Sequence, residues 1–314
     1  MASVDLKFGM IFLSQVVVGI LGNFSLLYHY MALYFKGCRP KCTDLVLRHL
    51  TVANSLVILF RGIPETMAAF GLGRFATYFG CEVLLYVHRV ARGVSIGVTC
   101  LLSVFQMITI NPRNSRRWVE LKIKAPKYVG HSSILCWALH LLVNIILCIY
   151  KTEKWNNKNI TKKRDLGYCS PFLDNFLTSL YAALTSFHDI LCLGLMTWAS
   201  SSMILILYRH RQQVQYIHRT NVSPRSSPET RATQSILALV STFVALYALS
   251  TCIFIYLTVF DIFSWWVVHT IVLITACFPT ISPFIFMFHN PNISRLCCIC
   301  CRKNALFSYL IRTM

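Results

Sequence analysis

Apolar positions in this chain fall into long unbroken blocks rather than into the short periods of a half-buried helix or strand. Seven runs stand out: Phe8 to Tyr30, Leu45 to Met67, Phe79 to Ile108, Tyr128 to Tyr150, Asp189 to Tyr208, Ser235 to Thr258 and Trp266 to Phe288. Each approaches or exceeds the roughly 20 mainly apolar residues that an α-helix needs to cross a bilayer. The third is longer than a bilayer requires, which predicts tilt or protrusion. The fifth has an open start, since apolar residues continue back to Phe172, but "LCLGLMTWASSSMILILY", ending at Tyr208, is its firm core. The pattern predicts an all-α membrane protein. Residues 1–314 form a single domain, a bundle of seven transmembrane helices, and residues 289–314 form a short cytoplasmic tail.

Composition agrees. Hydrophobic residues make up 56% of the chain and charged residues 13%, with a mean hydropathy of +0.58. A soluble domain carries about 25% charged residues. The net charge of +19 invites a nucleic-acid reading. The basic residues, however, cluster between apolar runs and form no single polar face, so the bilayer is the expected partner and nucleic acid is not. "MASVDLKF" leads straight into the first run with no basic segment before it, the pattern of a signal anchor rather than a cleaved signal.

Charge also sets orientation. With the N-terminus outside, inner segments carry nineteen of the thirty Lys and Arg residues and outer segments eight; Arg61, Arg89 and Arg92 fall within runs. That bias predicts a multi-pass plasma-membrane protein, N-terminus outside and C-terminus in the cytoplasm, although the outer loop "KTEKWNNKNITKKR" weakens it. In this topology Asn159 is the one N-x-S/T acceptor in a lumenal loop long enough for glycosylation. Cys81, at the outer end of the third run, and Cys169, in the second outer loop, form the clearest extracellular pair of the fourteen cysteines. An oxidising compartment lets such a pair bond, against the alternative of two free thiols.

The third run holds His88, Arg89 and Arg92 in "LLYVHRVARGVSIGVTCLL". Ionisable groups within membrane helices face a bundle interior or a water-filled cavity. At 1.5 Å per residue, Arg89 lies about 12 Å and Arg92 about 16 Å below Cys81, with His88, Arg89 and Arg92 near one face. Depth and face suggest the wall of an outer cavity. Asp189 and His269 join them as ligand-pocket candidates by depth. A scaffold role is the alternative, with Glu65, Glu82 or Asp189 neutralising the bases; Arg61 and Glu65 already have i,i+4 spacing.

Several blocks carry a family resemblance. "HRTNVSPRSSPETRATQSIL" (His218 to Leu237), "HRVARGVSI" (His88 to Ile96), "CLLSVFQMITINPRNSRRW" (Cys100 to Trp118) and "ACFPTISPF" (Ala276 to Phe284) resemble the vomeronasal type 1 receptors, a family of pheromone-sensing G-protein-coupled receptors. The resemblance spans essentially the whole chain. It implies a receptor that binds a small, largely apolar, pheromone-like molecule from outside and activates a heterotrimeric G protein of the inhibitory class. Against the wider rhodopsin-like class, Phe105, Gln106 and Met107 stand where Asp-Arg-Tyr is usual, Asn54 where Asp is usual, and "SPFIF" (Ser282 to Phe286) where Asn-Pro-x-x-Tyr is usual; Gly22-Asn23 remains as that class has it. The usual ionic lock and sodium-binding carboxylate therefore do not transfer.

On the inner side, Arg113, Arg116, Arg219, Arg231 and Gln234 are candidate G-protein contacts, although basic loops also bind anionic lipid. Ser227 can cap a helix whose first turn holds Pro228. Cys297, Cys298, Cys300 and Cys301, beside basic residues, are candidates for S-acylation, with unmodified thiols as the alternative. Their spacing does not match a metal knuckle. Pro279 and Pro283 predict a loosened or kinked last helix. No catalytic, metal or cofactor motif emerges, which argues against an enzyme. The remaining alternatives are a bitter-taste-like receptor and, further off, a transporter, which seven spans without matched inverted halves do not favour.

Overall fold

A computed structural model describes residues 2–35, 42–72, 78–111, 116–157, 175–217, 237–246, 248–249 and 265–289. All regular structure among them is helical: α1 (Ala2–Phe35), α2 (Cys42–Val57), α3 (Ile63–Ala69), α4 (Tyr78–Ile110), α5 (Arg116–Asn157), α6 (Asn175–Ile217), α7 (Leu237–Leu246) and α8 (Trp265–His289). Six segments are long and apolar enough to cross a membrane: Leu6–Phe35, Cys42–Ala69, Gly80–Ile110, Trp118–Ile146, Ala183–Arg209 and His269–Phe288. The sixth expected run is described at α7 and at 248–249 only.

Several helices outrun their apolar cores. α5 begins at Arg116, twelve residues before the apolar run, where Lys124 and Glu120 pair one turn apart. α6 begins at Asn175, so Asp189 lies well inside a helix that hydropathy alone starts at Asp189. Hydropathy marks only the part of a helix that lipid solvates; the helix itself ends where its backbone hydrogen bonds end.

α2 and α3 are one interrupted rod. Between them Ile58–Gly62 forms a wider turn, in which the N–H of Ile63 bonds the carbonyl of Ile58. Pro64 follows at the start of α3. Its ring has no N–H to donate and crowds the carbonyl four residues back. The widened turn absorbs that crowding and places Arg61 within it.

α4 is the hub. It packs on α2, α5 and α6, whereas α1 packs on α2, α3 and α8. In its apolar window 72% of residues are buried, against 17% for α5 and 22% for α6, which turn most of their surface to lipid. Leu26, Val46, Leu50, Val94, Val98, Leu102, Met196 and Leu239 fill the centre. Lipid tails are as apolar as leucine, so helices here associate through close packing and buried polar contacts rather than by leaving water.

Close packing is explicit between α4 and α5. Gly93 and Gly97 lie one turn apart on α4, and His140 and Cys136 lie one turn apart on α5. A Cβ added at Gly93 meets His140 Cε1 at 2.3 Å, and one added at Gly97 meets Cys136 Sγ at 2.6 Å. The two glycines are the holes that receive the two α5 side chains. Gly93→Ala therefore destabilises the protein by about 1–3 kcal/mol through overpacking, and His140→Ala in the same chain recovers most of that loss. Thermal unfolding of the two single variants and the double variant in detergent checks this; a Gly93→Ala loss that His140→Ala leaves unchanged contradicts the packing.

Candidate functional site

A cavity of about 500 Å³ opens between α4, α6, α7, α8 and the turn between α2 and α3. Such a volume is in the usual range for a small-molecule site. Its walls divide by chemistry. Arg61, His88, Arg92, Ser95, Thr185 and Asp189 supply the polar side, whereas Phe243, Leu246, Ile271, Val272 and Phe278 supply much of the apolar side. Phe243 and Phe278 meet edge to face, centroids 4.6 Å apart, and join α7 to α8.

The polar side is held by an interhelical ion pair. Arg92 Nη2 donates to Asp189 Oδ2 at 2.7 Å across α4 and α6. The Asp189 side chain is only 4% exposed, whereas Arg92 retains 35%. His188 Nδ1 approaches Asp189 Oδ1 at 3.2 Å, and His188 Nε2 lies 3.5 Å from Cys192 Sγ. The His140 ring stands edge-on to His188, bringing α5 to the same cluster.

A second pair lies within the interrupted rod. Arg61 Nη2 is 2.8 Å from Glu65 Oε1, with side-chain exposures of 20% and 5%. His269 Nδ1 is 3.8 Å from Glu65 Oε2, and its ring packs against Phe8 and Phe12.

Of the five ligand-pocket candidates from sequence, His88, Arg92 and Asp189 line the cavity; Arg89 and His269 do not. Helix geometry explains Arg89. At about 100° per residue, His88 and Arg92 project within about 40° of each other, whereas Arg89 stands on the flank. His269 is instead drawn between α1 rings beside Glu65. Arg61, expected only as the partner of Glu65, is a lining residue, because the widened turn changes the face on which it stands. Ser95 was also missed. The signal for it was present, since His88, Arg92, Ser95, Thr99 and Ser103 form a polar stripe at spacings of three and four.

That stripe continues inward as a buried network. Ser95 Oγ donates to Asn54 Oδ1 at 2.7 Å, and Asn54 Nδ2 donates to Ser282 Oγ at 2.8 Å, linking α4, α2 and α8. Thr99 and Ser103 return their hydroxyls to carbonyls of α4 four residues back. Asn54 and Ser282 are two of the positions where the chain departs from the rhodopsin-like pattern. Here amide and hydroxyl bond each other directly.

Cys81 is buried at the start of α4 and is disulfide-bonded. Arg116 is exposed at the start of α5. Asn159, Cys169, Arg113, Arg219, Arg231, Gln234, Cys297, Cys298, Cys300 and Cys301 lie outside the described residues.

The fold is similar to a solved one: the crystal structure of squid rhodopsin matches with a TM-score of 0.67 at 13% identity, covering 94% of this chain and 84% of that one. At that identity the likeness is one of fold. Sequence decides the family. The model of the vomeronasal organ pheromone receptor family matches residues 6–299. The chain belongs to that family. Among its relatives, human vomeronasal type-1 receptor 2 is 68% identical over 303 residues, 96% of this chain and 76% of that protein. Human vomeronasal type-1 receptor 4 is 55% identical over 298 residues, 95% of this chain and 98% of that protein. This vomeronasal-family chain is thus a membrane protein of pheromone-receptor type, not a member of an enzyme family, and the bitter-taste alternative is set aside.

In this receptor α1 also repairs α8. Pro283 has no N–H, so the carbonyl of Pro279, four residues before it, loses its helical partner. Asn23 Nδ2 donates to that carbonyl at 2.9 Å while also bonding the carbonyl of Gly19. Asn23→Ala leaves a buried carbonyl unsatisfied and lowers stability by about 1–3 kcal/mol. The loss shrinks in a Pro283→Ala background, where residue 283 regains an N–H for the same carbonyl. A double-mutant cycle read by thermal unfolding checks this; equal losses in both backgrounds count against the repair.

Proposed function

We propose that this vomeronasal-family chain is a plasma-membrane receptor of seven transmembrane helices, N-terminus outside. It takes a small, largely apolar molecule from the outer side into the cavity between α4, α6, α7 and α8. The segment that begins with α7 supplies the sixth helix of the bundle. Cys169 bonds Cys81 and ties the second outer loop to the top of α4, and Asn159 in that loop carries glycan. Arg113, Arg116, Arg219, Arg231 and Gln234 form the inner face for a heterotrimeric G protein of the inhibitory class.

The observation that carries the reading is the cavity, a mostly apolar space whose charged groups come from α4, α6 and the turn between α2 and α3, in a chain of the vomeronasal pheromone receptor family. Such a cavity buries an apolar body and orients it by one polar contact. A coupling route follows from Ser95 and Pro279, which both line the cavity. Ser95 is bonded through Asn54 to Ser282, and Asn23 holds the carbonyl of Pro279. A ligand that displaces either residue acts on α8, where two prolines have already weakened the backbone ladder. A transporter reading needs solute flux; a G-protein receptor needs none.

The test is a panel of small apolar odorants and steroids applied to cells that express the chain with a promiscuous G-protein reporter. At least one compound raises nucleotide exchange in a saturable way, without net solute uptake. Reporter silence across the panel at verified surface expression, or uptake without exchange, overturns the reading.

A further inference from the structure

The charge balance of the cavity wall narrows what the cavity holds. Resting on the receptor reading above, we infer that Arg61 and Arg92 together clasp a single neutral hydrogen-bond acceptor, such as an ester or ketone oxygen, on an otherwise apolar ligand. Arg61 is the specificity-determining residue that this adds.

Both guanidinium groups line the same cavity from different elements, Arg61 from the turn between α2 and α3 and Arg92 from α4. Each is held by a carboxylate more deeply buried than itself. Glu65 is 5% exposed beside Arg61 at 20%, and Asp189 is 4% exposed beside Arg92 at 35%. At 2.8 and 2.7 Å these contacts fix where the two guanidiniums sit. A guanidinium offers five N–H donors in a rigid fork, so a carboxylate on one edge still allows donation from another.

The two pairs also cancel. A ligand carboxylate or sulfate brings an extra negative charge into a low-dielectric site whose arginines already have buried counter-ions. A ligand ammonium meets two guanidiniums, with His88 lying among the electrostatic neighbours Arg61, Arg89 and Arg92. A neutral oxygen gains charge-assisted hydrogen bonds and imports no charge. The wall of Phe243, Leu246, Ile271, Val272 and Phe278 takes the apolar remainder.

The test uses three probes of matched chain, methyl decanoate, decanoate and decylammonium, titrated against the purified full-length receptor with thermal unfolding as readout. Methyl decanoate raises the unfolding temperature at concentrations where the two ions do not. Arg61→Met/Glu65→Met removes both charges of one pair, so neither Arg61 nor Glu65 is left opposite an unpaired charge; the 3.8 Å approach of His269 to Glu65 is lost with it. It retains surface expression and shifts the methyl decanoate midpoint upward by about tenfold or more, the effect of losing a hydrogen bond to a charged donor. Should that variant fail to reach the surface, Arg61→Lys carries the test. It keeps the ion pair with Glu65 but loses the fork, and the same upward shift is expected.

Tighter action by decanoate or decylammonium, an unchanged midpoint in the folded Arg61 variant, or no shift with any of the three probes overturns the clasp. Binding of methyl decanoate without any G-protein response leaves the clasp standing and counts against the receptor reading, so the two failures are distinguishable.

Discussion

The ion pair between Arg92 and Asp189 is the contact on which the centre of this receptor depends. A charge on a helix that crosses lipid needs a partner. α4 has no acidic residue at the level of Arg92, and on α6 the neighbouring His188 approaches one oxygen of Asp189 and leaves the other. Arg92 on α4 and Asp189 on α6 supply it to each other at 2.7 Å. The pair therefore fixes the rotation of both helices. It turns the charged face of α4 inward, which makes α4 the hub on which α2, α5 and α6 pack. It also leaves a polar wall beside an apolar space, which is the cavity.

The other buried polar groups obey the same constraint by different means. Among the described residues, polar side chains deep in the bundle largely bond either a neighbouring helix or their own backbone. Asn54 joins three helices through Ser95 and Ser282. Asn23 takes up a carbonyl that a proline has left without a donor. Thr51, Ser55, Thr99, Ser103 and Ser133 each return a hydroxyl to the carbonyl four residues back. Close approach joins helices as well, as at Gly93 and Gly97 under His140 and Cys136. Packing and hydrogen bonding thus do in lipid what hydrophobic burial does in water.

The fold class was legible in the sequence because lipid imposes a single strong pattern, an apolar block long enough to span it. The six apolar helices sit on six of the seven runs that hydropathy picks out. Helix ends were less legible, since α5 and α6 continue beyond the lipid-solvated part. The polar wall was half legible. His88 and Arg92 followed from depth and a spacing of four, and Asp189 from depth; as a counter-charge it was one of three carboxylates, with Glu65 and Glu82. Arg61 did not follow, because its position depends on a widened turn that Pro64 imposes and that a regular helix count does not contain. Arg89 was assigned by depth and by its nearness to the face of His88 and Arg92, and His269 by depth alone. Depth does not say which way a side chain points, and both stand outside the cavity.

The central claim is that Arg92 and Asp189 stabilise the bundle as a pair, each needing the other. Its most direct test is a double-mutant cycle with Arg92→Met and Asp189→Met, read by thermal unfolding of the purified receptor without ligand. Any contact that Asp189 makes with His188 is lost in both the single and the double variant, so it cancels from the coupling. Each single change strands a charge and costs about 3 kcal/mol, at the low end for a broken buried pair because Arg92 is one-third exposed. The double variant recovers most of that loss, giving a coupling of about 2 kcal/mol or more. Losses that simply add would contradict the account.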